Sequence, residues 1–131
     1  MTEKQIETAI IDYINALPRG WAIKINSGNI LKTAYYKGNP KKYMVKLAPE
    51  GTPDIIACIK LEGSPHGFFC GIEVKKTAKI VETWHKQKDR RSQAQWFALE
   101  SIDQAGGKAF IVHSLDDFIS LFEETVGKLP S

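Results

Sequence analysis

Two apolar runs in the middle of the chain carry charge that a buried strand normally lacks, and together they constrain the fold more than any other feature. Gly51-Thr52-Pro53-Asp54 leads into Ile55-Ile56-Ala57-Cys58-Ile59, and Phe68-Phe69-Cys70-Gly71-Ile72 leads into Glu73-Val74-Lys75. Proline has no N–H to give a sheet ladder, so Pro53 belongs at the start of the first strand, with Asp54 just inside it. The run from Ile55 to Ile59 reads as a strand covered on both faces. In the second run Phe68, Cys70, Ile72 and Val74 alternate with Phe69, Gly71, Glu73 and Lys75, which sets Glu73 and Lys75 side by side on one face. Glu62-Gly63-Ser64-Pro65-His66-Gly67 is the turn between the runs, so the two strands are expected to pair antiparallel. That pairing brings Asp54, at the start of one strand, beside Glu73 and Lys75 at the end of the other. Singly, each of the three reads as a solvated strand end or a turn residue. As an ordered set they point to a site, because an isolated buried carboxylate is costly and such groups pair or bind metal.

The flanking segments supply the rest of an α/β fold. Thr2 to Leu17 reads as an amphipathic helix capped by Thr2 with Gln5 three residues on, its apolar stripe formed by Ile6, Ile10, Tyr13, Ile14 and Leu17. Glu7 lies at the margin of that stripe, and Glu3 lies nearer the frayed end. Trp21 to Asn26 reads as a strand with Trp21, Ile23 and Ile25 on one side, followed by a turn at Asn26-Ser27-Gly28-Asn29. Ile30 to Leu47 reads as a hairpin or flap around Gly38-Asn39-Pro40. Ser92 to Ala105 reads as a helix capped by Ser92, with Gln95 at the capping-box position, Trp96, Leu99 and Ile102 facing inward, and Gly106-Gly107 as the stop. Ala109 to Val112 is a short strand, expected parallel to a central strand after the helical crossover. Ser114 caps a last helix that buries Leu115, Phe118, Ile119 and Phe122, and Gly127 to Ser131 is a tail. The 131 residues suffice for one domain with a single core, 1–131.

Charge is unevenly spread. The net charge is only +3. Yet Lys32, Lys37, Lys41, Lys42 and Lys46 fall between Ile30 and Ala48 with no acid among them, and Lys76, Lys86, Lys88, Arg90 and Arg91 fall in a basic stretch from Lys76 to Arg91. The rest of the chain is net acidic. Two basic segments flanking the charged strands would steer an anionic polymer towards them. The hairpin's lysines are interleaved with Tyr35, Tyr36 and Tyr43. These suit gripping a backbone and stacking on bases, or they are aromatics that merely cover the core. No apolar run approaches the ~20 residues of a membrane span, and Met-Thr-Glu-Lys-Gln offers no apolar signal core, so a cytoplasmic protein is expected. Cys58 and Cys70 read as buried thiols, not as a disulfide framework or a zinc site. His66, His85 and His113 stand alone, and neither a Ser-His-Asp order nor a nucleotide-binding glycine loop is present.

The ordered set resembles the active-site signature of the PD-(D/E)xK nuclease superfamily, and within it the VRR-NUC (virus-type replication-repair nuclease) family. The matching residues are Gly51 to Asp54, Glu73 to Lys75, and Ser92-Gln93-Ala94-Gln95, which corresponds to the family's Ser-x-x-Gln opening a helix. The resemblance spans the first helix to about Val112. It implies a restriction-endonuclease-like αβββαβ core: a mixed sheet of about four strands flanked by helices, here with a basic hairpin. The stretch 76–91 is longer than the family's usual connection and is expected to be either disordered without nucleic acid or a basic clamp.

Phosphodiester hydrolysis needs charge neutralisation on phosphoryl oxygens, an activated water and help for the leaving oxygen, and hard divalent cations on carboxylates can supply all three. Asp54 and Glu73 are oxygen ligands for such an ion, and the Val74 carbonyl between Glu73 and Lys75 can add a neutral one. An all-oxygen set suits Mg²⁺ or Mn²⁺. The resemblance implies this arrangement with Glu7 behind it, with Lys75 orienting or deprotonating the water or stabilising developing charge. It also implies that Gln95 lies near the site; as a capping-box residue Gln95 would instead be structural. The implied activity is metal-dependent DNA cutting that leaves a 5′-phosphate. Few side chains look able to read base sequence, so structure-selective cutting of branched, flap or junction DNA in phage or mobile-element replication or repair is the expectation. A DNA-binding module without chemistry is the alternative. Small resolvase-like members of the superfamily work as dimers, so a homodimer is expected by analogy of fold.

Overall fold

The computed structural model describes residues 1–27 and 29–130. Ten elements follow in order: α1 (Glu3–Ala16), β1 (Gly20–Lys24), β2 (Asn29–Tyr36), β3 (Asn39–Lys46), β4 (Ile55–Ile59), β5 (Phe68–Val74), α2 (Ala78–Trp84), α3 (Arg90–Gln104), β6 (Lys108–Val112) and α4 (Leu115–Thr125). Strands β1, β4, β5 and β6 form one sheet in the order β1-β4-β5-β6, and β2 and β3 form a separate two-stranded ribbon. The β1–β4 and β4–β5 pairs are antiparallel and β5–β6 is parallel, so the sheet is mixed. The antiparallel β4–β5 pair and the parallel return of β6 are as the sequence implies.

One sheet face is closed by α1 and α4. Ala22, Ile55, Ala57, Ile59, Cys70, Ile72, Val74, Phe110 and Val112 are buried there against Ile6, Ile10, Ile14, Phe118 and Phe122. Phe110 meets Phe118 edge-on at a centroid separation of 5.6 Å, a preferred aromatic geometry. Helix α1 starts on the expected reciprocal box, in which the Thr2 hydroxyl accepts from the Gln5 N–H and the Gln5 side chain accepts from the Thr2 N–H. Asn15 leaves the same helix and bonds both the N–H and the C=O of Ala22. It thereby occupies polar groups that an edge strand would otherwise offer to another chain.

The other face is only half covered. Helix α3 packs over β5 and β6 and leaves the β1–β4 side open. Three consequences follow. Trp21 and Ile23 are 55% and 40% exposed on this face, while small Ala22 is the inward residue of β1; the bulky apolar set marked the uncovered side. The run Ile55–Ile59 is therefore fully buried on one face only, and Cys58 on the other face is exposed, unlike buried Cys70. Trp96 is 47% exposed, because α3 turns Gln95 and Leu99 inward instead.

The stretch 76–91 is not one continuous loop: it holds helix α2 and the start of α3. Thr77 caps the short helix α2, and Asp89, not Ser92, caps α3 by accepting from the Ser92 N–H, so Arg90 and Arg91 already belong to the first turn of α3. Sequence reading fixed on Ser92 and passed over Asp89, an equally good cap. Gln95 then lies beyond the capping-box position. The C-terminal segment also docks: Leu129 is buried and its N–H is held by the Glu123 carboxylate. The turn at 26–29 includes Gly28, which, like Ser131, lies outside the described residues.

Two glycines set the spacing around the charged strand ends. Gly51 has φ +90°, and a Cβ there would lie 2.5 Å from the Ala94 carbonyl carbon of α3. A Cβ on Gly71 would lie 2.6 Å from Ile102 Cδ1 of α3 and 3.1 Å from Pro53 Cγ. Gly51→Ala is expected to lower unfolding stability by about 3 kcal/mol, from left-handed strain plus overpacking. Gly63 has φ +80° but nothing within 4 Å of a Cβ, so Gly63→Ala carries the strain alone, about 1 kcal/mol. Urea denaturation of both variants measures the difference; equal losses would mean that α3 does not press on Gly51.

Candidate active site

The β4–β5 register places Ile55 opposite Ile72, so Asp54, one residue before β4, lies level with the end of β5. Its Oδ2 accepts from the Val74 N–H at 2.8 Å, and its own carbonyl accepts from the Ile25 N–H at 2.8 Å. The aspartate is thus clamped between β5 and the end of β1. In an extended strand the N–H and C=O of one residue leave on the same edge. The Val74 N–H goes to Asp54, whereas the Lys75 N–H goes to Val112 on the opposite side. The Val74 carbonyl therefore opens on the Asp54 edge.

Glu73 and Lys75 project from the same face of β5, with Lys75 Nζ 3.7 Å from Glu73 Oε1. Lys75 Nζ also donates to Gln95 Oε1 at 2.9 Å. Trp84 Nε1 donates to the same oxygen at 2.9 Å, and its ring lies under Lys75 Nζ, 5.5 Å from the centroid, within cation–π range. Lysine and indole only donate, so the Gln95 amide must turn its oxygen to both. Lys75 is thereby held by three groups from β5, α2 and α3.

Glu73 is the exception in this satisfied network. It is 2% exposed, and its Oε2 is buried without a hydrogen-bond partner among the described residues. Burial, followed by the Asp54 charge beside it, pushes its carboxyl up to about 9, against the opposing pull of Lys75 and Arg91. The proton that this demands, or a cation in its place, is the missing partner.

The site thus brings together Asp54, Glu73, Lys75, Gln95 and the Val74 carbonyl. Glu7, not Glu3, is the buried acid of α1, and its Oε2 is ion-paired to Lys24 Nζ. No cluster of three or more His, Cys, Asp or Glu side chains converges at metal-binding distance among the described residues; the donors on hand are the Asp54–Glu73 pair and the neutral carbonyl. These fit a hard divalent ion in charge, oxygen chemistry and the orphaned Oε2. Of the basic residues, Arg91 acts on Glu73 electrostatically and exposed Arg90 pairs with Glu50 at 3.4 Å. Lys76, Lys86 and Lys88 are exposed around α2, and Lys32, Lys37, Lys41, Lys42 and Lys46 are exposed on the ribbon. Sequence reasoning missed Lys24 and Trp84. For Trp84 a signal was present, a lone tryptophan inside a basic stretch; for Lys24 there was none, because only the structure shows that its side of β1 faces α1.

Comparison of the chain with protein-family models, with curated proteins and with solved structures returned no match.

A raised folded-state value means that the folded state holds the Glu73 proton between its ordinary value of 4.5 and about 9, whereas the unfolded chain has released it. Stability from this group is therefore complete below 4.5 and lost as pH rises towards 9. In EDTA, Glu73→Gln is expected to be more stable than the parent chain, with an advantage that grows from pH 5 to pH 9 (denaturant midpoints at each pH). A pH-independent difference would mean that Glu73 ionises freely in the fold.

Proposed function

We propose that this chain is a Mg²⁺- or Mn²⁺-dependent deoxyribonuclease of the PD-(D/E)xK type, built on a restriction-endonuclease-like core. The observation that carries the reading is the convergence of Asp54 and Glu73, with an orphaned buried carboxylate oxygen, beside a lysine held in place by Gln95 and Trp84. The order α1, β1, β4, β5, α3, β6 also follows the αβββαβ plan that the sequence resemblance implies.

Asp54, Glu73 and the Val74 carbonyl would hold the ion, which when bound supplies charge neutralisation on the phosphoryl oxygens and a more acidic water. Lys75 stands next to that position with few rotamers open to it, so it can orient the attacking water or stabilise charge as it develops. Gln95 and Trp84 act through Lys75 and are positioning residues. Glu7, neutralised by Lys24, buttresses the Asp54 end of β1. Lys76, Lys86, Lys88, Arg90 and Arg91 would meet phosphates outside the reacting centre. Such residues respond to backbone shape more than to base edges, which favours structure-selective cutting of branched, flap or junction DNA.

Purified protein with labelled duplex, flap and four-way-junction DNA tests this directly. Cutting is expected with Mg²⁺ or Mn²⁺ and not in EDTA. Glu73→Ala and Lys75→Ala are each expected to reduce it by about a hundredfold or more. Gln95→Leu should lower kcat with little change in KM. DNA binding without cutting in either metal would leave a binding module on the same fold, and neither binding nor cutting would remove nucleic acid as the substrate.

A further inference from the structure

The β2–β3 ribbon is the largest feature that the site leaves unused. Each strand has eight residues, a length of ~27 Å at ~3.4 Å per residue. Nearly every residue of it is exposed, and its extensive packing is internal. It turns at Lys37 and Gly38, with φ +50° and +79°, the positive pair of a tight hairpin turn whose twist matches the strands. The base of the ribbon is fixed next to the candidate site. The Ile25 N–H bonds the Asp54 carbonyl, the Ala48 N–H bonds the Asn26 carbonyl, and Ser27 and Ala48 bridge.

The register distributes its charge in a telling way. Directly opposed residues share a face and successive residues alternate. Lys32 opposes Tyr43 and Lys41 opposes Ala34, which puts both lysines on one face. Lys42 opposes Thr33 and Lys46 opposes Asn29, which puts both on the other. Lys37 is at the tip, 5.4 Å from the Tyr36 ring centroid. There is no acid between Ile30 and Ala48. A ribbon that covers a core, or lays one face on a single strand, has no use for cations on both faces. A duplex groove does, because it has a phosphate wall on each side. With side chains on both faces the ribbon is ~10 Å thick, which suits the ~12 Å major groove and not the ~6 Å minor groove.

We propose that the β2–β3 ribbon is an arm that enters the major groove of duplex DNA beside the candidate site, with Lys32 and Lys41 facing one phosphate wall and Lys42 and Lys46 facing the other. The proposal rests on the nucleic-acid reading above but not on the chemistry. It narrows the substrate to DNA with a duplex arm next to the cut, since the ribbon covers up to about eight base pairs at ~3.4 Å each.

The test is the binding of fluorescein-labelled duplex by the full chain in EDTA, as a function of salt, with Lys32→Ala/Lys41→Ala and Lys42→Ala/Lys46→Ala as separate double variants. Each pair is expected to weaken binding and to lower the slope of log K against log salt by about 2. Methyl green, a major-groove ligand, should displace the protein, and distamycin, a minor-groove ligand, should not. An effect from only one face, equal binding of single strand and duplex, displacement by distamycin, or no salt-dependent binding would each overturn the proposal. Circular dichroism of both variants excludes unfolding as a cause. Because EDTA removes cutting from the measurement, two-faced binding without nuclease activity would sink only the enzymatic reading. Metal-dependent cutting unaffected by either double variant would sink only the arm.

Discussion

Glu73 stands next to the last residue of β5, an inner strand of the sheet, with one carboxylate oxygen shielded from water and matched by no donor among the described residues, while Asp54 stands beside it and raises its proton affinity further. Folding alone does not ask for this pairing. A well-packed core would replace Glu73 with an apolar residue at little cost or some gain. The surrounding polar groups are otherwise satisfied: Asp54 by the Val74 N–H, Lys75 and Trp84 by Gln95, and Glu7 by Lys24. That oxygen is the buried side-chain atom left without a partner among the described residues, and an uncompensated group of this kind persists only where the surrounding structure over-determines it.

The fold supplies that holding structure from several directions. Helices α1 and α4 bury one sheet face against Ile55, Ile72, Val74 and Val112, which fixes the ends of β4 and β5. Helix α3 approaches the other face closely because Gly51 and Gly71 carry no Cβ, and so delivers Gln95 to Lys75. Helix α2 brings Trp84 over the same lysine. A site on strand ends backed by packed helices keeps its geometry better than one on loops.

Much of this was legible in the sequence. Pro53-Asp54, the alternation that sets Glu73 beside Lys75, and the turn at Glu62–Gly67 together imply an antiparallel pair with the carboxylates at one end, and the register agrees. The faces were harder to read. Trp21 and Ile23 share one side by pattern, and because α3 covers only β5 and β6 that apolar side of β1 is the open one. Apolar periodicity tells which residues share a face, not which face another element covers. The stretch 76–91 was obscured by its lysines, although Thr77 and Asp89 are ordinary helix caps. Gln95 looked like a cap residue because Ser92 three places earlier fits the same local rule. Its two hydrogen bonds come from β5 and α2, contacts that no local pattern encodes.

The central claim is that the Asp54–Glu73 pair is a place for a divalent cation. The most direct measurement is Mn²⁺ binding to the DNA-free chain, followed by electron paramagnetic resonance as loss of the free-ion signal, in parallel with Glu73→Gln. The account predicts saturable binding by the parent chain and its loss in Glu73→Gln, with the folded structure of the variant intact. Equal Mn²⁺ uptake by both chains, or none by either, would contradict it, and Glu73 would then be a protonated acid of the core.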